Sequence, residues 1–87
     1  MNNIAERYIN GDLTLDEVCE LVSELDDKQE MLKVFVRVKY HDLDKFMAYP
    51  DYCTPKFIEL GSFLLPYMVS DEGKAFLEGY RKEVRNE

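Results

Sequence analysis

Few residues in this sequence can do chemistry, and they do not group. The single histidine, His41, stands between Tyr40 and Asp42, with Asp44 close behind. An imidazole beside carboxylates is the start of a metal site or an acid–base pair. A metal site, however, takes three or four ligands at set spacing, as in two histidines on one helix face or paired CxxC motifs. Neither pattern occurs here. Cys19 lies among Val18, Leu21 and Val22, the setting of a small buried apolar residue, and Cys53 has no histidine near it to activate a thiolate. Glu59 sits inside the most apolar segment, where burial could make a general acid, but the polar edge of a helix is the simpler role. The four glycines are scattered, with no phosphate loop, dinucleotide fingerprint or serine elbow. These residues predict no enzyme, no metal and no cofactor.

Charge is the stronger signal. The chain carries −7, and residues 1–30 hold all of it, with nine acids against two bases. Asp12, Asp16, Glu17, Glu20, Glu24, Asp26 and Asp27 run without one base between them. Such a surface repels nucleic acid and anionic membrane, and it speeds encounter with basic proteins. The bases Lys33, Arg37, Lys39, Lys45, Lys56, Arg81, Lys82 and Arg85 could form a patch, but the bulk charge opposes nucleic-acid binding. A helix-turn-helix reading of residues 3–25 would push the acidic helix against phosphates. A solvated face that keeps a small protein soluble is the plain alternative. Against it, Asp16, Glu20 and Glu24 repeat at helical spacing with no relief in the sequence, which costs a few tenths of a kcal/mol per pair.

The elements that must carry these residues are helical. Residues 3–9 form a short helix, stopped by Asn10-Gly11. Thr14 and Glu17 have capping-box spacing, with Leu13 and Val18 placed as a staple. Val18, Leu21, Val22 and Leu25 then make an apolar stripe opposite the acids. Asp27 and Glu30 open a long helix over about 28–48. Within it, residues 34–40 alternate apolar and basic in a way that also fits a strand, and that choice stays open. Thr54-Pro55 starts a helix so apolar, with Phe57, Ile58, Leu60, Phe63, Leu64 and Leu65, that it is expected to be central and buried. Gly61-Ser62 would let a neighbour approach closely, and Pro66 should end or kink the helix. Ser70 or Asp71 caps a last helix over roughly 72–85, with Phe76, Leu77, Tyr80 and Val84 facing inward.

Between the long helix and the apolar one lies Ala48-Tyr49-Pro50-Asp51-Tyr52-Cys53-Thr54-Pro55. Prolines stiffen a loop, and tyrosines give contact area at low entropy cost. Tyr49, Asp51 and Tyr52 are therefore candidate partner contacts, with Tyr49 expected to turn into the core and Tyr52 to face out. The size, acidity, helical layout and Tyr49-Pro50 corner resemble the small immunity proteins that neutralise bacterial nuclease toxins. That resemblance implies a phage or bacterial accessory protein, and no residue role is carried over from it.

The fold class expected is all-α, a compact single-domain bundle of four to five helices over residues 1–87. The function expected is a non-enzymatic protein-binding module, an acidic antagonist of a basic, nucleic-acid-acting protein. Its contact residues would be Asp12, Asp16, Glu17, Glu20, Glu24, Asp27, Tyr49, Asp51 and Tyr52. The alternative is a self-associating helical subunit, a homodimer using Phe63, Tyr67 and Met68. No secretory signal is visible, and the longest apolar stretch, Phe57 to Val69, contains Glu59 and is too short to span a bilayer, so a cytoplasmic location is expected.

Overall fold

Each long helix begins where a side chain meets its first free amides. Thr14 accepts from the Glu17 amide at 3.1 Å, and the Glu17 carboxylate takes the Thr14 amide at 2.9 Å, which completes the capping box. Asp27 caps the next helix through the Gln29 amide, and Thr54 caps the one that opens on Pro55 through the Phe57 amide. Ser70 caps the last through the Gly73 amide. The computed structural model describes residues 3–85. In order these form α1 (Ile4–Ile9), α2 (Leu15–Ser23), α3 (Lys28–His41), α4 (Leu43–Ala48), a 3-10 turn (Pro50–Tyr52), α5 (Pro55–Met68) and α6 (Asp71–Arg85). The Cα radius of gyration is 12.3 Å, against about 12 Å for a compact single domain of this length. The fold is all-α, and no strand occurs among the described residues.

The central helix is α3. It packs against α1, α2, α4, α5 and α6, and Met31, Leu32, Val34, Phe35, Val36 and Val38 are all buried. A helix with neighbours on several sides hides residues all round its axis. That explains the strand-like alternation over 34–40, because the pattern of a surrounded helix no longer shows one clean stripe. The reading of α5 as the buried helix is corrected by the same comparison. Only Phe57, Leu60 and Leu64 of α5 are buried, while Ile58, Phe63, Leu65 and Val69 are 54–57% exposed. Apolar content alone does not tell which helix the topology surrounds.

One other expectation changes. The single helix over 28–48 breaks at Asp42, whose backbone (φ −108°, ψ 22°) ends α3 and starts α4. With this break the described residues hold six α-helices. Gly61 of α5 does let α3 come close, since an added Cβ would lie 3.2 Å from the tip of the Phe35 ring. Closer still is Gly73 in α6, where an added Cβ would fall 1.8 Å from the Tyr67 carbonyl oxygen of α5. α5 runs through Pro66 to Met68, and the chain turns within Val69 and Ser70 into α6. Gly73 is what lets α6 cross so near that corner.

The two glycines of α6 should therefore respond in opposite directions. Gly73→Ala forces backbone apart and is expected to cost about 2–3 kcal/mol. Gly79→Ala, where nothing lies within 4 Å of the new methyl, is expected to stabilise by about 0.5–1 kcal/mol. Urea unfolding of both variants checks the pair, and a harmless Gly73→Ala would contradict the corner described.

Candidate functional site

The acidic residues expected to meet a partner divide once the helices are in place. Val18, Cys19 and Val22 turn α2's apolar side into the core and leave the acids outside. Glu17 is committed to its capping box, and hydrogen bonds from Thr14, backbone first, hold its carboxyl below the usual range. Asp27 is committed as the α3 cap. Glu20 pairs with Lys56 of α5 at 2.5 Å, and that bond holds the Lys56 ammonium above its ordinary value. The unrelieved repeat of Asp16, Glu20 and Glu24 is thus relieved across space by Lys56, which also feels the Asp16 charge. One Asp16 carboxylate oxygen is buried with no hydrogen-bond partner among the described residues. Asp12, Glu24 and Asp26 are exposed.

Beside this ridge lies a cleft of about 630 Å³ between α2, the start of α3 and α5. Its apolar wall is Cys19, Leu25, Met31, Leu60 and Phe63. Its rim carries Glu20, Asp26 and Glu59 with Lys28 and Lys56. The volume is in the range that receives a side chain cluster or a small ligand. Lys28 lies 3.9 Å from the centre of the half-exposed Phe63 ring, a cation–π contact worth about 0.5–1 kcal/mol at such a site. Burial, with the Asp16 charge adding, pushes the Cys19 thiol up to about 11, so at neutral pH it is a packing group and not a nucleophile. Glu59 is exposed on the rim, as the edge of its helix. The part of Phe63, Lys28 and Lys56 was not visible in the sequence, because those contacts join residues far apart in the chain.

The tyrosine corner is reversed from expectation. Tyr49 is 65% exposed, with the still more exposed Met47 and the exposed Asp51 beside it. Tyr52 is half-buried. Its ring meets Phe46 edge-on at 5.1 Å, and Phe46 continues through Phe57 to Phe35 as a stacked column. Its hydroxyl donates to the Asp42 carboxylate at 2.8 Å, and Tyr8 of α1 donates to the same oxygen. The two phenol oxygens lie 2.8 Å apart, so two protons serve three close oxygens. His41 Nδ1 meets the other Asp42 oxygen at 2.9 Å. Asp42 is the one buried charged residue among those described, at 4% exposure. Burial alone would raise its carboxyl, but the hydrogen bonds from Tyr8, Tyr52 and His41 outweigh that and hold it below the ordinary value. Burial first, then its bonds to Asp42 and Tyr52, drives the Tyr8 phenol strongly upward. At neutral pH this cluster is a carboxylate held by the proton donors around it, and it ties α1, the α3–α4 break and the 3-10 turn together.

The self-association set divides as well. Phe63 lines the cleft, Met68 lines a separate groove between α5 and α6, and Tyr67 is half-buried with its hydroxyl enclosed. Among the described residues no group of three or more His, Cys, Asp or Glu is placed to hold a metal ion. No helix among them is long and apolar enough to cross a membrane.

The Asp42 node sets an acid limit on stability. A carboxyl held low in the fold contributes above its unfolded pKa of about 3.9, and that contribution is lost as pH falls through the lower folded value. Asp42→Asn should cost about 2–3 kcal/mol at neutral pH and lower Tm by about 10–20 °C. It should also flatten the fall in stability below about pH 4. Thermal melts from neutral pH downward check this; an unchanged Tm and acid limb in the variant would remove Asp42 from its role.

No family model, curated protein or solved structure matches the chain.

Proposed function

We propose that this chain is a non-enzymatic protein-binding module, an acidic antagonist of a basic, nucleic-acid-acting protein, working in the cytoplasm. The observation that carries the reading is the adjacency of an acidic ridge and an apolar-walled cleft on one side of the molecule. Asp26 and Glu59 are exposed carboxylates on the rim of that cleft, and Glu24, at the end of α2 between the lining residues Ser23 and Leu25, is exposed as well. A basic surface would meet these acids, while an apolar side chain from its midst would enter beside Phe63 and Leu60. Such an anchor in a charged rim is how compact interfaces concentrate their binding energy. The acids speed encounter, and the cleft slows departure. Direct nucleic-acid binding and attachment to anionic membrane are not part of this function, since the same charge repels both. Tyr49 and Asp51 are a second contact, next to the pinned Tyr52.

Not all of the acids are free to meet a partner. Glu17, Glu20 and Asp27 already serve the fold, so the partner-facing group is Asp12, Glu24 and Asp26 with Glu59. The test is capture from a host lysate on the immobilised protein and on a Glu24→Gln/Asp26→Asn/Glu59→Gln variant, eluted by salt. The expected result is one basic, nucleic-acid-acting protein, inhibited when the wild-type chain is added back, with association about 10-fold slower to the variant. Equal capture and inhibition by both would sink the acidic-cleft reading.

A further inference from the structure

A second surface has the opposite character. The groove between α5 and α6, of about 510 Å³, has Leu65, Met68, Val69 and Leu77 as its floor. Lys74, Arg81 and Lys82 stand around it, with Glu78 as its only carboxylate among the described residues. In a protein of net charge −7 this is a local reversal of sign. None of the four charged groups makes an ion pair among the described residues, although Lys74, Glu78 and Lys82 are spaced for pairing along α6. Leu65 and Val69 are 54% and 57% exposed. Ile58, at 56%, continues their stripe along α5, because these three positions share one helix face. The stripe from Ile58 to Val69 is about 16 Å long, the length of about three helical turns.

We propose that this groove binds an amphipathic helix of a partner protein, one whose apolar stripe is flanked by carboxylates. The apolar floor takes the stripe, and Lys74, Arg81 and Lys82 take the flanking acids. A folded second copy of this chain is a poor occupant. Its acidic helix, α2, has its own apolar side turned inward, with Val18 and Val22 fully buried. An anionic lipid surface is also disfavoured, because the net charge repels it beyond the reach of three cations. This surface is separate from the acidic cleft, and it would stand whether or not that cleft meets a basic partner.

The probe is a synthetic helix of about 18 residues with leucines at i, i+3, i+4 and i+7 spacing and glutamates on both flanks. Its control carries lysine in place of each glutamate. Fluorescence anisotropy with the full chain, at about 50 and about 300 mM salt, gives the affinity and its screening. Amide chemical shifts locate the site. The expected result is binding of the glutamate helix, shifts centred on Leu65, Val69, Leu77 and Arg81, and at least about 10-fold weaker binding to Lys74→Glu/Arg81→Glu/Lys82→Glu. Leu65→Ser, at an exposed position, should weaken binding similarly and keep the helical circular dichroism. Equal binding of the lysine helix, shifts confined to the α2 cleft, or indifference to both variants would overturn the proposal. So would light scattering that shows the chain dimerising through this groove, or preferential binding to phosphatidylserine vesicles that the same charge reversal abolishes.

Discussion

A single buried carboxylate organises one half of this molecule. Asp42 ends α3, begins α4, and accepts from Tyr8 of α1 and Tyr52 of the 3-10 turn. Enclosing a charge is expensive unless hydrogen bonds replace the lost water, and here three side chains do so. The arrangement works only if α1, the α3–α4 break and the 3-10 turn arrive together. Placing Tyr52 on Asp42 also brings its ring to Phe46, and from there the aromatic column reaches α5 through Phe57 and α3 through Phe35. The corner that is rich in tyrosine and proline is therefore held by its second tyrosine, which leaves the first one free to face solvent.

Local signals were legible in the sequence, and surrounded ones were not. The Thr14–Glu17 capping box, the Thr54-Pro55 start and the Asn10-Gly11 stop depend on neighbours a few residues away, and the structure has all of them. The ranking of α3 and α5 depended on how many other helices each one touches, which a stripe pattern does not encode. Asp42 was hidden for a related reason. A carboxylate in a charged-looking stretch reads as surface, and its phenolic partners are 34 and 10 residues away. The candidate site shows the same division. The acidic run was plain, but its partial neutralisation by Lys56 and the capping duties of Glu17 and Asp27 needed the helices in place.

Charge and apolar surface are distributed by the same logic. The acids of the first third spread over α1, α2 and the start of α3, and part of them serve as helix caps and cross-helix pairs. The exposed apolar residues of α5 divide between two concavities, Phe63 on the acidic side and Leu65 and Val69 on the basic side. One helix thus carries the floor of two surfaces of opposite sign. This follows from α5 sitting at the flank of α3 with only Phe57, Leu60 and Leu64 turned inward.

The central position of α3 also shapes how the chain must be made. Its buried side chains face α1 and α2, which precede it, and α5 and α6, which follow. During vectorial synthesis α3 emerges before the half of its covering that follows it in the chain. Met31, Leu32, Val34, Phe35, Val36 and Val38 then wait in water until residues 55–85 emerge. Nascent chains in that condition are prone to associate through exposed apolar surface. The part of the chain made before α3 carries the whole −7, and like charge opposes such association.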